Sequence, residues 1–401
     1  METFECVFCH KNYPVDPFQT FCPNCREPLL YKGSQADKKF YHDKDHPLEV
    51  MLDFLPLDHV NRELSLGEGN TPLIRLKNME KKHRLPALYA KNETVNPTLS
   101  FKDRGTALAI QKAVALGLER IGTVSTGNMA ISTAAYGARA GLKTYVLIKD
   151  GAHLEILKST GIYKPVMINV KGDYGELYRQ SLSLGKKNNI YFTNSVDPFR
   201  IEGYKVTAFE IFFQLKKKAP DFIFVPVSSG GHLIGLMKAF EELKQHGLIQ
   251  KYPHFVGVQA EGCSPIARAF HEKKPKVERI ERAETIAKAI SNPDPPGGNL
   301  VLRMIKQTGG TIISAPEDKI LEAQTILAET EGIFIQPASA TALVGILDLA
   351  EQDKFDSGAK IVLILTGSGM KALGKISHTD SPLLHANLSN LSSILNSIRS
   401  D

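Results

Sequence analysis

IGTVSTGNMAISTAAYGARAGLKTYVLI, residues Ile121–Ile148, reads as a short strand, a polar turn, a helix and a second strand. The turn is Ser125-Thr126-Gly127-Asn128. After it Ile131, Ala134, Ala135 and Ala138 recur on one side at helical spacing, Gly141 is placed to close the helix, and KTYVLI supplies the next strand, completing a βαβ unit. Strand-like and helical runs continue to alternate from about Ser65 to Lys375, without a long repeat or low-complexity segment. That alternation predicts an α/β fold with largely parallel sheets.

Two further junctions repeat the pattern. In DFIFVPVSSGGHLIGLMKAF, Asp221–Phe240, the strand FIFVPV runs into Ser228-Ser229-Gly230-Gly231-His232 and then a helix. Paired glycines let the backbone approach a ligand, and free N–H groups at a helix start favour a phosphate. In KIVLILTGSGMKALGK, Lys360–Lys375, an apolar strand ends in Thr366-Gly367-Ser368-Gly369. Ligands bind at such carboxyl-end turns in open parallel sheets, although glycines there also serve tight turns and close helix packing. None of the turns is Gly-x-Gly-x-x-Gly, so the dinucleotide fingerprint is absent. Gly369-x4-Gly374-Lys375 imitates a phosphate-binding loop, but Ile376 stands where a Mg²⁺-binding Ser or Thr is required, which argues against a nucleotide hydrolase.

NPTLSFKDRGTAL, Asn96–Leu108, places Lys102 between a turn and a helix. Asn96-Pro97 is turn chemistry, Ala107, Ile110 and Val114 follow at helical spacing, and Ser100 with Asp103 fits the Ser-x-x-Asp capping box. The helix is expected to begin at Lys102. A cation is poorly placed at the positive end of a helix dipole, and most lysines are simply solvated. A buried lysine in such a place, however, loses its proton more easily and becomes a nucleophile.

Composition narrows the rest. With 401 residues and 42% hydrophobic side chains the chain can bury a sizeable core of two or three domains. The net charge of +6 is dispersed, and the one dense basic run, Lys216-Lys217-Lys218, reads as a solvated helix end, so no nucleic-acid partner is expected. No apolar run is long enough for a membrane span and the first residues, METFECVFCHK, lack a secretory pattern, which leads to a cytoplasmic protein as the default. Cys6-x2-Cys9 and Cys22-x2-Cys25 have the spacing of two metal knuckles that together offer four thiolates to a structural zinc, with prolines and aromatic residues between them. A disulfide framework is disfavoured by the reducing compartment. Tyr31–Asp58, with HDKDH at His42–His46, reads as a solvated connector rather than a second metal site.

NPTLSFKDRG, VSTGN, PVSSGGH and VLILTGSG, in that order, resemble the fold type II pyridoxal phosphate (PLP) enzymes, which are tryptophan synthase β-like in fold. LSLGEGNTPL (Leu64–Leu73), NSVDPFRIEGYK (Asn194–Lys205) and EGIFIQPASATAL (Glu331–Leu343) extend the likeness to the threonine synthases that carry an N-terminal four-cysteine segment. The resemblance implies a zinc ribbon over 1–35, a large PLP-binding α/β domain over 36–118 and 203–380, and a small mobile α/β domain over 119–202 inserted between them. Periodicity of Leu384, Leu388, Leu391, Leu395 and Ile398 adds a carboxy-terminal helix in 381–401, for packing or a homodimer contact.

The resemblance also implies roles. Lys102 would form the Schiff base with PLP beside Phe101, and Ser228, Ser229, Gly230, Gly231 and His232 would hold the PLP phosphate. Asn128 would meet the ring hydroxyl oxygen and Thr366 the pyridine nitrogen. Ser125, Thr126 and Gly127 would receive the substrate carboxylate, and Asn194, Ser195 and Arg200 the phosphate of O-phospho-L-homoserine, for which an Arg fork is well suited. The chain departs from the family pattern at SSGGH, where a Gly/Asn-rich loop is usual, and in Glu284–Leu300. It also has Tyr204 for a glutamine, Asp197 for an asparagine and Gln336 for a glutamate. These changes fall mainly on the substrate side and leave open a β-replacement enzyme or lyase, such as a cysteate synthase using O-phosphoserine and sulfite or a threonine dehydratase, and a PLP-binding regulator without catalysis.

Overall fold

The structure, a computed structural model, describes residues 2–33, 38–151, 154–373 and 384–398. The end of the glycine-rich run at Gly374-Lys375 and the junction between 380 and 381 lie outside the described residues. Residues 1–371 pack as one compact unit and 372–401 as another.

The larger sheet has six strands in the order Thr311–Ala315, His254–Ala260, Phe222–Pro226, Lys360–Leu365, Ala87–Asn92 and Leu73–Arg75. All pairings are parallel except the last, where Leu73–Arg75 runs against Ala87–Asn92. Side chains alternate across each strand, and the two faces feed two cores. Ile223, Val225, Val362 and Ile364 join one core with the helices Lys102–Ala115, Pro198–Gln214 and Gly231–Gln245. Phe224, Ile361, Leu363 and Leu365 join the other, against the helix Pro337–Glu351. Continuous apolar strands such as KIVLIL are what burial on both faces requires.

The smaller sheet is all parallel, in the order Val166–Val170, Lys143–Lys149, Arg120–Val124 and Tyr191–Phe192. The helix Asn128–Arg139 crosses between its two central strands as the βαβ reading expects, and Gly141 takes a left-handed φ of 68° just past the helix end. Ala138, expected on the packed side, is exposed because the last turn of that helix emerges from the core.

The four-cysteine segment is a three-stranded antiparallel sheet, Asn12–Tyr13, Thr3–Glu5 and Leu30–Lys32. Its Phe4, Leu29, Leu30 and Tyr31 are continuous with the main core. The connector differs from the solvated loop expected of its composition. Leu48, Met51, Phe54 and Leu55 are buried, and Phe40 stacks on Phe54 at 4.4 Å. Single aromatic anchors between charged residues leave no periodicity to read. Within 372–401 the helix is shorter than the leucine spacing suggests, running Leu391–Ile398, while Leu384 lies in irregular chain and Leu388 in a turn.

Candidate functional site

The three turns singled out in the sequence all follow the carboxyl ends of parallel strands: 125–127 in the smaller sheet, and 227–230 and 366–368 after adjacent strands of the larger one. Lys102 opens its helix as expected. The capping box does not form. Phe101 is the N-cap without a side-chain bond, and Asp103 accepts instead from Thr98, at 2.6 Å from the amide and 2.5 Å from the hydroxyl. Asp103 therefore fastens the turn preceding Lys102 rather than capping the helix. The same turn is pinned from the other side, since Phe101 N donates to Thr366 O at 3.1 Å and Ser368 N to Leu99 O at 3.1 Å.

Burial, followed by the positive Arg200, lowers the Lys102 pKa from the ordinary 10.5 to about 7. The Lys102 ammonium lies 4.3 Å from the centre of the Phe101 ring, which itself stacks on His232 at 4.0 Å. Burial holds His232 at about 3, so the imidazole is neutral at physiological pH, and neither ring nitrogen has a partner.

His232 sits in the first turn of the helix Gly231–Gln245, which starts without a side-chain cap. The first N–H groups of a helix need acceptors, and here they open on Ser228–Gly230. A Cβ on Gly231 would lie 2.1 Å from Ser195 O, so only glycine admits this close crossing. Gly230 has φ 99°. Asn292 Nδ2 donates to Ser229 Oγ at 2.8 Å and Gly297 N to Ser229 O at 3.0 Å, which anchors the loop through a segment that the sequence reading left without a role.

Asn128 begins its helix and donates to Gln336 Oε1 at 2.8 Å, while Gln336 N donates to Gly367 O at 2.9 Å. Gln336, noted only as a departure from the family pattern, therefore holds Asn128 beside the turn at Thr366. Thr366 is itself fixed by its amide, which donates to Ser339 Oγ at 2.8 Å. Ser125 Oγ accepts from Gly127 N at 3.2 Å, a local turn bond.

Arg200 is fully buried. Its Nη2 donates to Lys102 O at 3.3 Å and to Tyr204 Oη at 3.2 Å, Nε reaches Tyr204 Oη at 3.4 Å, and Nη1 has no partner. Tyr204 thus steers the guanidinium. Asp197 caps its own helix: Oδ1 accepts from Arg200 N at 2.9 Å and from Tyr191 Oη at 2.7 Å, Oδ2 is buried without a partner, and burial raises the carboxyl to about 6. Asn194 accepts from Val124 N at 2.9 Å and donates to Ser181 Oγ at 3.0 Å, leaving one amide hydrogen uncommitted. Ser195 Oγ is buried and unpartnered.

Beneath Lys102 lies a buried network that the sequence did not signal. Arg104 donates to Glu93 (2.6 and 2.7 Å) and Glu210 (2.6 and 2.8 Å), and Lys91 meets Glu210 at 2.6 Å. It ties the Lys102 helix to the larger sheet and to the helix bearing Arg200.

In the ribbon the four cysteine sulfurs lie within 4.8 Å of one another, and Cys9 Sγ and Cys22 Sγ are 3.7 Å apart. Four thiolates at about 2.3 Å from a tetrahedral zinc stand roughly 3.8 Å apart. All five cysteines are free thiols.

The pattern of the family described as pyridoxal-phosphate dependent enzyme matches residues 64–367. Threonine synthase of Methanocaldococcus jannaschii is 38% identical over 373 residues, 91% of this chain and 92% of that protein. Threonine synthase of Methanosarcina acetivorans is 32% identical over 377 residues, 92% of each. Among solved structures, cysteine synthase of Entamoeba histolytica (TM-score 0.64, 20% identity, covering 85% of this chain and 97% of that one) shares the fold. So does threonine deaminase isoform 2 of Solanum lycopersicum (TM-score 0.63, 18% identity, 81% and 87%). The residues present fit pyridoxal phosphate: a lysine whose pKa is lowered toward neutrality offers an amine to the aldehyde, and an uncapped helix start crossed at Gly231 with the single N–H of the neutral, unpartnered His232 offers donors to the phosphate.

Proposed function

Because this chain belongs to the pyridoxal-phosphate dependent enzyme family and, within it, to the threonine synthases, we propose that it converts O-phospho-L-homoserine and water to L-threonine and phosphate. The observation that carries the substrate side is Arg200 Nη1, a buried cationic donor without a partner, on a guanidinium that also reaches Lys102 O. An unmatched buried donor is costly unless a ligand completes it, and a phosphorylated substrate brings a second phosphate.

Bound PLP supplies an electron sink for the substrate carbons. Lys102 Nζ would hold the cofactor and, as a free amine, would take protons from the substrate α and β carbons and return them at the α and γ carbons, the γ carbon becoming the methyl of threonine, for which a pKa of about 7 suits it. Ser228–His232 hold the cofactor phosphate, Asn128 and Thr366 orient the ring, and Phe101 stands beside Lys102. Ser125, Thr126 and Gly127 take the substrate carboxylate. Ser195, Arg200 and the spare Asn194 hydrogen take the substrate phosphate as the Cγ–O bond breaks and water adds at Cβ. Residues 119–202 act as a cover that excludes water.

The cysteines Cys6, Cys9, Cys22 and Cys25 hold one structural zinc, and the enzyme works in the cytoplasm as a homodimer. No described helix is long and apolar enough to cross a membrane. The deciding assay incubates purified enzyme with O-phosphohomoserine and, separately, with O-phosphoserine plus sulfite, and measures threonine, cysteate and phosphate. Threonine and phosphate from the first mixture are expected. Phosphate released only from phosphoserine overturns the assignment.

A further inference from the structure

The ribbon lies against the segment proposed to bind the substrate phosphate. Phe199, fully buried, receives Phe4 edge-on at 5.4 Å and Tyr31 at 6.4 Å. Phe199 immediately precedes Arg200 in the first turn of Pro198–Gln214, so the two side chains leave the helix about 100° apart. One points to the ribbon and the other to Lys102. A second contact brackets the far end of the segment, where Phe21 packs edge-on at 6.4 Å against Tyr178, whose buried phenol faces Ser195. Lys238, on the helix that starts at the glycine loop, donates to Tyr31 O and pairs with Glu202, two residues beyond Arg200 on the same helix.

We infer that the ribbon is a positioning element for the substrate phosphate, fixing Ser195–Arg200 through Phe4, Tyr31 and Phe21 once its four cysteines hold metal. This rests on the proposed role of Arg200. The ribbon's strands are two and three residues long, so metal at the four cysteines would fix the turns between them and with those turns the angle at which Phe4, Tyr31 and Phe21 meet the main core. Without that angle, Phe199 keeps its own helix but loses the wall that sets its first turn. The Arg200 bonds at 3.2–3.4 Å are already long enough to be sensitive to a small rotation.

The test uses PLP-loaded full-length enzyme, with inorganic phosphate as probe. In Phe4→Ala, and in the less buried Phe21→Ala as the variant that tolerates truncation, the phosphate dissociation constant and the KM for O-phosphohomoserine rise about tenfold, one decade of affinity. The visible cofactor band, cofactor affinity and kcat stay within about twofold, and Phe4→Leu recovers most of the loss. Chelation of the ribbon metal moves phosphate binding in the same direction. Unchanged phosphate binding in both alanine variants overturns the inference. So does parallel loss of the cofactor band in both, which assigns the ribbon to general folding, and so does a wild-type holoenzyme that binds no phosphate. If wild type turns over no phosphohomoserine, the functional assignment fails separately, and the phosphate titration still decides the ribbon's role.

Discussion

Gly231→Ala perturbs the site at the point where two backbones cross. The added Cβ would lie 2.1 Å from Ser195 O and 3.3 Å from Ser195 C. A carbon and a carbonyl oxygen ordinarily approach to about 3.3 Å, so one backbone must retreat by roughly 1.2 Å. Neither yields easily. The Gly231 side is a helix start seated in the main core, and the Ser195 side is held by Asp197 N→Asn194 O at 3.0 Å and the Asn194 amide bonds. Overpacking of this kind costs about 1–3 kcal/mol, and a misplacement near 1 Å costs on the order of a hundredfold in function. PLP affinity, followed by the visible band on titration of cofactor-free protein, should fall about a hundredfold, with about 1–3 kcal/mol lost in urea unfolding. Gly358→Ala is the control, because its Cβ meets no heavy atom within 4 Å on an exposed loop, and it should stay within about 0.5 kcal/mol of wild type. Wild-type cofactor affinity in Gly231→Ala would refute the assignment of this crossing to the phosphate cradle.

Tyr204→Phe keeps the ring and removes the hydroxyl that accepts from Arg200, so KM for the phosphorylated substrate should rise about tenfold, the lower end for a bond to a charged group. A KM unchanged within experimental scatter would show that Arg200 is held by other means. Lys102 titrates near 7 in the folded cofactor-free protein against 10.5 unfolded. The unfolded chain therefore binds more protons between those values, and this group makes stability rise with pH across that window. Urea unfolding at pH 7 and pH 9 should show the rise in wild type and a smaller one in Lys102→Met; equal slopes would contradict a lysine of lowered pKa. Arg104→Met strands Glu93 as a buried carboxylate without a cation and leaves Glu210 with Lys91 alone, so a loss of about 3–5 kcal/mol is expected. A loss below about 1 kcal/mol would mean that water or a neighbouring cation replaces the guanidinium.

The legible parts of the site were those with local chemistry. Proline before a turn, glycines after a strand and an apolar run ending in polar residues each act over a few positions, so the turns that hold Asn128, Ser228–His232 and Thr366 and the helix start at Lys102 could be placed from the sequence, while the roles of these residues came only from the family resemblance. The Asp103 error is instructive because it arose at the same range. Ser100 and Asp103 have capping-box spacing, yet Thr98 offers both an amide and a hydroxyl to the same carboxylate, and two bonds displaced the expected cap.

The α/β alternation, the strand-end turns and the paired cysteine knuckles were readable from the amino acids alone, because backbone propensity and the periodicity of burial are written over short stretches. Which groups meet is settled by long-range packing. Gln336 reaches Asn128 across 208 positions, Arg104 reaches Glu210 across 106, and Phe4 of the ribbon packs on Phe199. No local rule encodes such pairs, since their energy comes from removing both partners from water together, and that is fixed only when the cores close. The same closure packs Lys102 against Phe101 and sets Arg200 beside it, turning a lysine at an unfavourable helix end into one that gives up its proton near neutrality.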